Sequence, residues 1–228
     1  MNKAIQRIIN KDLKSIEHYK LNEQGIYIEF NENNMLEAYA MIIGPKNTLY
    51  EGGYLFFNIN FPKNYPYSPP DVSYVSRGNV RIHPNLYVKH HKSGFGKVCL
   101  SILGTWNGPS WSSIMDINTV LITIQSLLDN NPLIHEPGCN SSKYIQKQLI
   151  YKRIIKYNTI KSLIIDTVHR NLGEYEIFRN IIDKTYNKQN MIEKIEILNN
   201  EYSNNEILIC GIYRMKIIIN IDKLKKNI

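Results

Sequence analysis

Tyr54-Leu-Phe-Phe-Asn-Ile-Asn-Phe-Pro-Lys-Asn-Tyr-Pro-Tyr-Ser-Pro-Pro-Asp-Val-Ser-Tyr-Val75 is the stretch that decides the fold. Its first eight residues are rich in the aromatic and branched side chains that suit a pleated surface. From Phe61 to Pro70 prolines recur at 62, 66, 69 and 70, and their missing backbone donors punctuate the chain. Val72–Val75 then reads as another strand. Upstream, Ile26–Phe30 and Leu36–Ile43 are also β-rich, with Gly44-Pro45 and Gly52-Gly53 marking the joints that follow. Short connections between consecutive strands favour an antiparallel meander.

Helices flank these strands. At about 100° per residue, Ile5, Ile8, Ile9, Leu13 and Ile16 share one side of an N-terminal helix, while Lys3, Arg7, Lys11 and Lys14 gather on the other. The basic face has no interleaved acids, so it reads either as a solvated face or as a docking face for an acidic partner. Residues 77–116 show little periodicity and much Gly, Pro, His and Trp, the mark of a functional loop region. Helical apolar spacing returns over Ile117–Leu128 and stops at Asn130-Asn131-Pro132. It resumes from about Ser141 to Leu172, where Gly173 can end it, and further helices are predicted over 174–187 and 190–200. The apolar run 207–221 fits strand or helix. The expected class is α+β: a four-stranded antiparallel meander with helices on one face over residues 1–156, then a mainly helical extension over 157–228.

A 228-residue chain that is 43% hydrophobic and 21% charged has the composition of a globular protein. Its net charge of +8 is uneven: residues 1–156 carry 17 basic and 11 acidic side chains, and the remainder 11 and 9. An acidic partner would therefore meet the first part. Three cysteines without CxxC or Cys/His spacing predict free thiols in a reducing compartment and no metal site. No uncharged apolar run reaches membrane-spanning length, so the chain is expected to be cytoplasmic, with the nucleus left open.

Cys99 lies in Lys97-Val-Cys-Leu-Ser101, at the end of the irregular region. A lone cysteine is commonly a small buried hydrophobe, but a thiol placed there also suits acyl carriage, because a thioester stays open to amine attack. His83-Pro84-Asn85 precedes it. Proline and asparagine suit a turn; alternatively, the Asn85 amide could donate to the oxyanion formed when an amine attacks a thioester. A thiol-protease pairing would need His83, His90, His91 or His135 as base, and no motif singles one out.

Taken together, Gly44-Pro45, Tyr50-Glu-Gly-Gly53, Phe61-Pro62, Tyr65-Pro66, Pro69-Pro70, His83-Pro-Asn85, Cys99-Leu100 and Trp111 resemble the ubiquitin-conjugating (E2) family in order and approximate spacing, over about residues 1 to 150. Gly96-Lys-Val-Cys-Leu-Ser-Ile-Leu-Gly-Thr-Trp106, with His135-Glu-Pro-Gly138, looks most like the large branch represented by the BIRC6/apollon and UBE2O-type domains. The resemblance implies Cys99 as the thioester cysteine, Asn85 as the oxyanion asparagine and His83 as a shaper of the loop. It implies that Lys3, Arg7, Lys11 and Lys14 help recruit an E1 activating enzyme with an acidic docking surface. In the family, E3 ligases contact the first helix and two loops, and Tyr67 and Trp111-Ser112-Ser113 occupy the matching positions. Ubiquitin or a ubiquitin-like protein and a protein substrate complete the implied partners. No cofactor is implied, since ATP is consumed by the E1.

Departures from the family pattern stand out. Fourteen positions separate Asn85 from Cys99, and Lys89–Phe95 looks inserted. Ser101 stands where many members have an aspartate, and the resemblance makes Glu136 the candidate for the other gate-side acid. Cys139, after Pro137-Gly138, reads as incidental. The alternatives are an inactive E2-like module that binds ubiquitin or a partner, and a nucleic-acid binder, for which no motif exists beyond charge.

Overall fold

The computed structural model describes residues 2–76, 78–89 and 94–228, so His90, His91 and most of the Lys89–Phe95 stretch lie outside the described residues. The chain forms two compact units that interleave in sequence. One takes in the residues up to Ile43, Leu55–Ser76 and Asn85–Leu127; the other takes in Gly44–Tyr54, the segment that ends at Pro84, and Leu128–Ile228.

The first unit holds a sheet of order β1-β2-β3-β4-β5: β1 Ile26–Asn31, β2 Asn34–Ile43, β3 Tyr54–Asn60, β4 Asp71–Tyr74 and β5 Gly96–Lys97. The register sets Ile28 opposite Ala40 and Ile59 opposite Val72. In β3 the consecutive residues Leu55, Phe56 and Phe57 are all buried, as expected of a central strand covered on both faces. The sequence predicted four strands and the sheet has five, because two residues of β5 are too short to show alternation.

The N-terminal helix is interrupted. The α-helices α1 (Lys3–Arg7) and α2 (Leu13–His18) flank a π-helical turn over Ile8–Asp12, which shifts the phase of the faces. The buried positions are Ala4, Ile8 and Asp12. Ile9, predicted on the apolar side, is instead 38% exposed. Arg7, on the basic side, donates from its guanidinium to the Met115 carbonyl at 2.9 Å. Helix α3 (Ile117–Ser126) buries Ile117, Val120, Leu121 and Ile124, a single stripe at helical spacing. Its N-cap Asp116 accepts the Thr119 N–H at 3.1 Å and the Ser15 hydroxyl at 2.8 Å, which anchors α2 to the start of α3.

The second unit is mostly helical. Helix α4 (Ile145–Asn158) runs through a π-helical stretch, Thr159–Ile165, into α5 (Asp166–His169); α6 (Arg179–Thr185) and α7 (Lys188–Glu201) follow. The division expected at 156/157 falls inside α4. Tyr151, Ile154, Ile155, Phe178, Ile182, Ile195 and Leu198 form its core. The apolar run 207–221 resolves into a hairpin, β6 (Ile207–Cys210) and β7 (Met215–Ile218), and the start of α8 (Ile221–Lys226). Leu208 and Cys210 are buried while Ile207 and Ile209 are exposed, a period of two that apolar residues on both faces had concealed. Arg153 grips Glu206 with two bonds of 2.7 and 2.8 Å, and it holds that carboxyl below its ordinary pKa. Gly44 admits no side chain: a Cβ there would lie 1.8 Å from the Tyr50 carbonyl oxygen. Among the described residues no helix is long and apolar enough to cross a membrane.

Candidate active site

Residues 85–87 run antiparallel to 97–99, and this short ladder sets Asn85 opposite Cys99. Leu86 bridges Val98, the Tyr87 N–H donates to the Lys97 carbonyl at 3.0 Å, and the Cys99 N–H donates to the Asn85 carbonyl at 2.9 Å. The Asn85 side-chain amide returns a bond, donating from Nδ2 to the Cys99 carbonyl at 2.6 Å. Gly96 is required beside this ladder, because a Cβ there would lie 1.8 Å from the Tyr87 carbonyl oxygen.

A residue that sequence reasoning missed clasps the far side. Thr105 Oγ1 accepts the Leu100 N–H at 2.9 Å and donates to the Val98 carbonyl at 2.8 Å, so one hydroxyl ties together the residues on either side of Cys99. Thr105 stands inside the Gly96–Trp106 motif, just past the short 3-10 turn Ser101–Leu103, but only the fold reveals its role. Cys99 itself is 3% exposed and Asn85 5%. The carboxamide is thus bonded to the main chain of Cys99, and both residues are buried.

The other predicted residues fall into separate places. In the second unit His83 is fully buried, its ring 5.1 Å from that of His135 and 6.4 Å from that of Tyr50. The Tyr50 hydroxyl fixes the preceding residue by donating to the Ile82 carbonyl at 2.6 Å. His135 Nε2 lies 2.9 Å from Asp129 Oδ2, so that ring is already engaged with a carboxylate. Glu136 accepts the Tyr213 hydroxyl, a partner from the C-terminal extension that sequence spacing could not have revealed. Cys139 and Cys210 are buried, and desolvation, with the Glu136 carboxylate second, pushes the Cys139 thiol up.

In the first unit Tyr67 is 79% exposed, and Trp111 donates from Nε1 to the Pro66 carbonyl at 2.6 Å. Ile114, which the sequence did not single out, is 76% exposed, and its carbonyl accepts Lys11 Nζ at 2.9 Å. Lys3 and Lys14 are exposed. Among the described residues no group of His, Cys, Asp and Glu side chains could hold a metal ion.

The family model for ubiquitin-conjugating enzyme matches residues 8–157, well over half of the chain. The chain belongs to the ubiquitin-conjugating enzyme family. Ubiquitin-conjugating enzyme E2 Z of Xenopus tropicalis is 35% identical over 187 residues, which cover 81% of this chain and 57% of that protein. The Homo sapiens protein of the same name is 37% identical over 180 residues, covering 78% and 49%. The chain thus spans about half the length of these curated relatives. A crystal structure described as a ubiquitin-conjugating enzyme from Plasmodium yoelii aligns with a TM-score of 0.53 at 27% identity, over 72% of this chain and 97% of that one. The α+β class expected from the sequence is therefore that of the ubiquitin-conjugating fold.

Proposed function

We propose that this chain accepts ubiquitin or a ubiquitin-like protein from an activating enzyme as a thioester on Cys99 and passes it to a substrate lysine, usually with a ligase as scaffold. The observation that carries this reading is the ladder that sets the Asn85 carboxamide against Cys99. In the first step the Cys99 thiolate attacks the carbonyl of the incoming thioester and the activating enzyme's thiolate leaves. In the second the neutral lysine amine attacks the Cys99 thioester, the tetrahedral oxyanion collapses, the Cys99 thiolate departs, and the proton lost by the amine passes to that thiolate or to water. Asn85 Nδ2 donates to that oxyanion. His83 shapes the loop from its buried position, and Glu136 serves as the gate-side acid. Lys3, Arg7, Lys11 and Lys14 recruit the activating enzyme, and Tyr67 and Trp111 meet the ligase.

Residues 1–156 supply the catalytic part and 157–228 an extension. No cofactor is needed, since ATP is consumed upstream, and the chain works in the cytoplasm, with the nucleus left open. Within the family, the motif around Cys99 favours the large BIRC6/apollon and UBE2O-type branch, whereas the relatives reported above bear the name E2 Z. Likeness to those relatives over most of the chain outweighs a short motif, so placement beside E2 Z is the better reading.

One observation favours a second reading, an inactive module that binds ubiquitin or a partner: Cys99 is only 3% exposed. Active transfer requires the cover over Cys99 to yield when the donor docks. Incubation with activating enzyme, ATP and a panel of ubiquitin-like proteins separates the two. Transfer yields an adduct that thiol reductant removes and that Cys99→Ala lacks; ubiquitin binding with no adduct establishes the module.

A further inference from the structure

Tyr213 occupies the turn between β6 and β7, far along the chain from the motifs above, yet it meets the segment that leads into Asn85. Its hydroxyl donates to Glu136, which fixes one end of the ring. The ring's face receives Arg81, whose guanidinium carbon stands 4.4 Å from the ring centroid. The ring of Tyr151 packs against it edge-on at 5.6 Å, and the Tyr151 hydroxyl donates to the Arg81 carbonyl at 2.7 Å. Met215, just past the turn, brings its sulfur to 3.3 Å from the Arg81 N–H. Arg81 is thereby gripped at its backbone N–H, its carbonyl and its guanidinium.

That guanidinium also donates from Nη2 to the Pro84 carbonyl. The Pro84 carbonyl belongs to the peptide bond that enters Asn85, so its orientation sets the direction in which the Asn85 backbone departs. A carboxamide that must meet a transient oxyanion depends on that orientation, and a misplacement of about 1 Å can cost on the order of a hundredfold in rate.

We propose that Tyr213 is a positioning residue for the transfer step: the C-terminal hairpin, through the Tyr213 ring and the Arg81 guanidinium, holds the Pro84 carbonyl and with it the placement of Asn85. This rests on the transfer reading above and gives the extension a part in it. Tyr213 touches no reacting atom. In this arrangement Glu136, the gate-side acid of the transfer reading, also anchors the ring through Oε2.

The test is single-turnover discharge of the Cys99 thioester to free lysine, measured after charging is complete, for the full chain with Tyr213→Ala, Asn85→Ala and both. Charging of Tyr213→Ala should stay within about twofold of the parent, while its discharge falls roughly tenfold. In the Asn85→Ala background the same substitution should have almost no further effect, because the group it positions is gone. Equal slowing in both backgrounds, or discharge at the parent rate, overturns the inference. If Tyr213→Ala does not fold, Tyr213→Phe decides, since it keeps the ring over Arg81 and removes only the anchor to Glu136. It should discharge about threefold more slowly with Asn85 present and show no loss without it; an unchanged rate with Asn85 present overturns the inference. Failure of the parent chain to charge at all is a different result and removes the transfer reading itself.

Discussion

The hydroxyl of Tyr65 donates to Oδ1 of Asp12 at 2.5 Å, joining the proline-rich connector to the π-helical turn of the N-terminal helix. The same oxygen accepts the Ile117 N–H at 3.1 Å, while Arg7 Nε stands 3.6 Å from the other oxygen, beyond hydrogen-bond range. Desolvation outweighs these partners and pushes the Asp12 carboxyl up. A raised folded pKa favours the protonated form. Its stabilising contribution is therefore full below the ordinary carboxylate value of about 3.9 and is lost as pH rises through the folded value. Asp12→Asn keeps an acceptor and removes that titration. Urea unfolding should show the variant gaining on the parent between about pH 4 and about pH 7; a constant difference would mean that Asp12 does not titrate differently on folding. Tyr65→Phe should cost about 1–3 kcal/mol by stripping a donor from a buried carboxylate.

Asn85→Ala separates loading from transfer. Loss of one oxyanion donor typically slows the chemical step by about 10²–10³, so discharge of the Cys99 thioester to lysine should fall in that range while charging persists. The bond from Nδ2 to the Cys99 carbonyl adds a structural component, and thermal unfolding should register it as a modest loss. Asn85→Asp replaces the donor with an acceptor facing that carbonyl, and it should lower both stability and discharge. Discharge by Asn85→Ala at the parent rate would restrict Asn85 to holding the loop.

What the sequence disclosed, and what it withheld, follows the reach of each interaction. Strands β1 to β4 were legible because β-rich runs and their Gly and Pro punctuation are local signals. The Asn85–Cys99 pair was legible only through the order of motifs, since no spacing rule shows that residues fourteen apart face each other across a ladder. The burial of Asp12 escaped notice although a straight 100° wheel sets it between Ile8 and Ile5, because a carboxylate is buried only with partners, and these, Tyr65 and Ile117, come from distant segments. The Thr105 clasp and the Tyr213–Glu136 contact escaped for the same reason: hydroxyl partners are chosen by the assembled fold. Cys99 is buried, as a lone cysteine commonly is, and composition cannot report what covers a side chain.

Cys139 and Cys210 should be bystanders in the proposed reaction. They are 5% and 2% exposed, and burial with the nearby Glu136 charge raises the Cys139 thiol, which lowers its thiolate fraction at neutral pH. Alkylation followed by mass spectrometry should show Cys139 in the folded chain reacting at least about tenfold more slowly than in urea. Cys139→Ala and Cys210→Ala should charge like the parent at a stability cost of about 1 kcal/mol. A loss of charging in Cys139→Ala, with stability preserved, would instead make it a second acceptor.

The N-terminal helix offers a charge test in which geometry divides the four basic residues. Lys3 and Lys14 are exposed, whereas Lys11 reaches the Ile114 carbonyl and Arg7 reaches the Met115 carbonyl beside buried Asp12. If this face meets an acidic surface on the activating enzyme, reversal of Lys3 and Lys14 to Glu should slow charging several-fold at limiting enzyme without changing the melting temperature. That slowing should fade as salt rises, because the screening length shrinks from about 8 Å at physiological ionic strength to about 3 Å at 1 M. Arg7→Ala should behave differently, slowing charging and also lowering the melting temperature, since it removes the cation closest to a buried carboxylate. Charging of the double Glu variant at the parent rate in low salt would show that these lysines are only a solvated face, and the +8 charge would then need another partner.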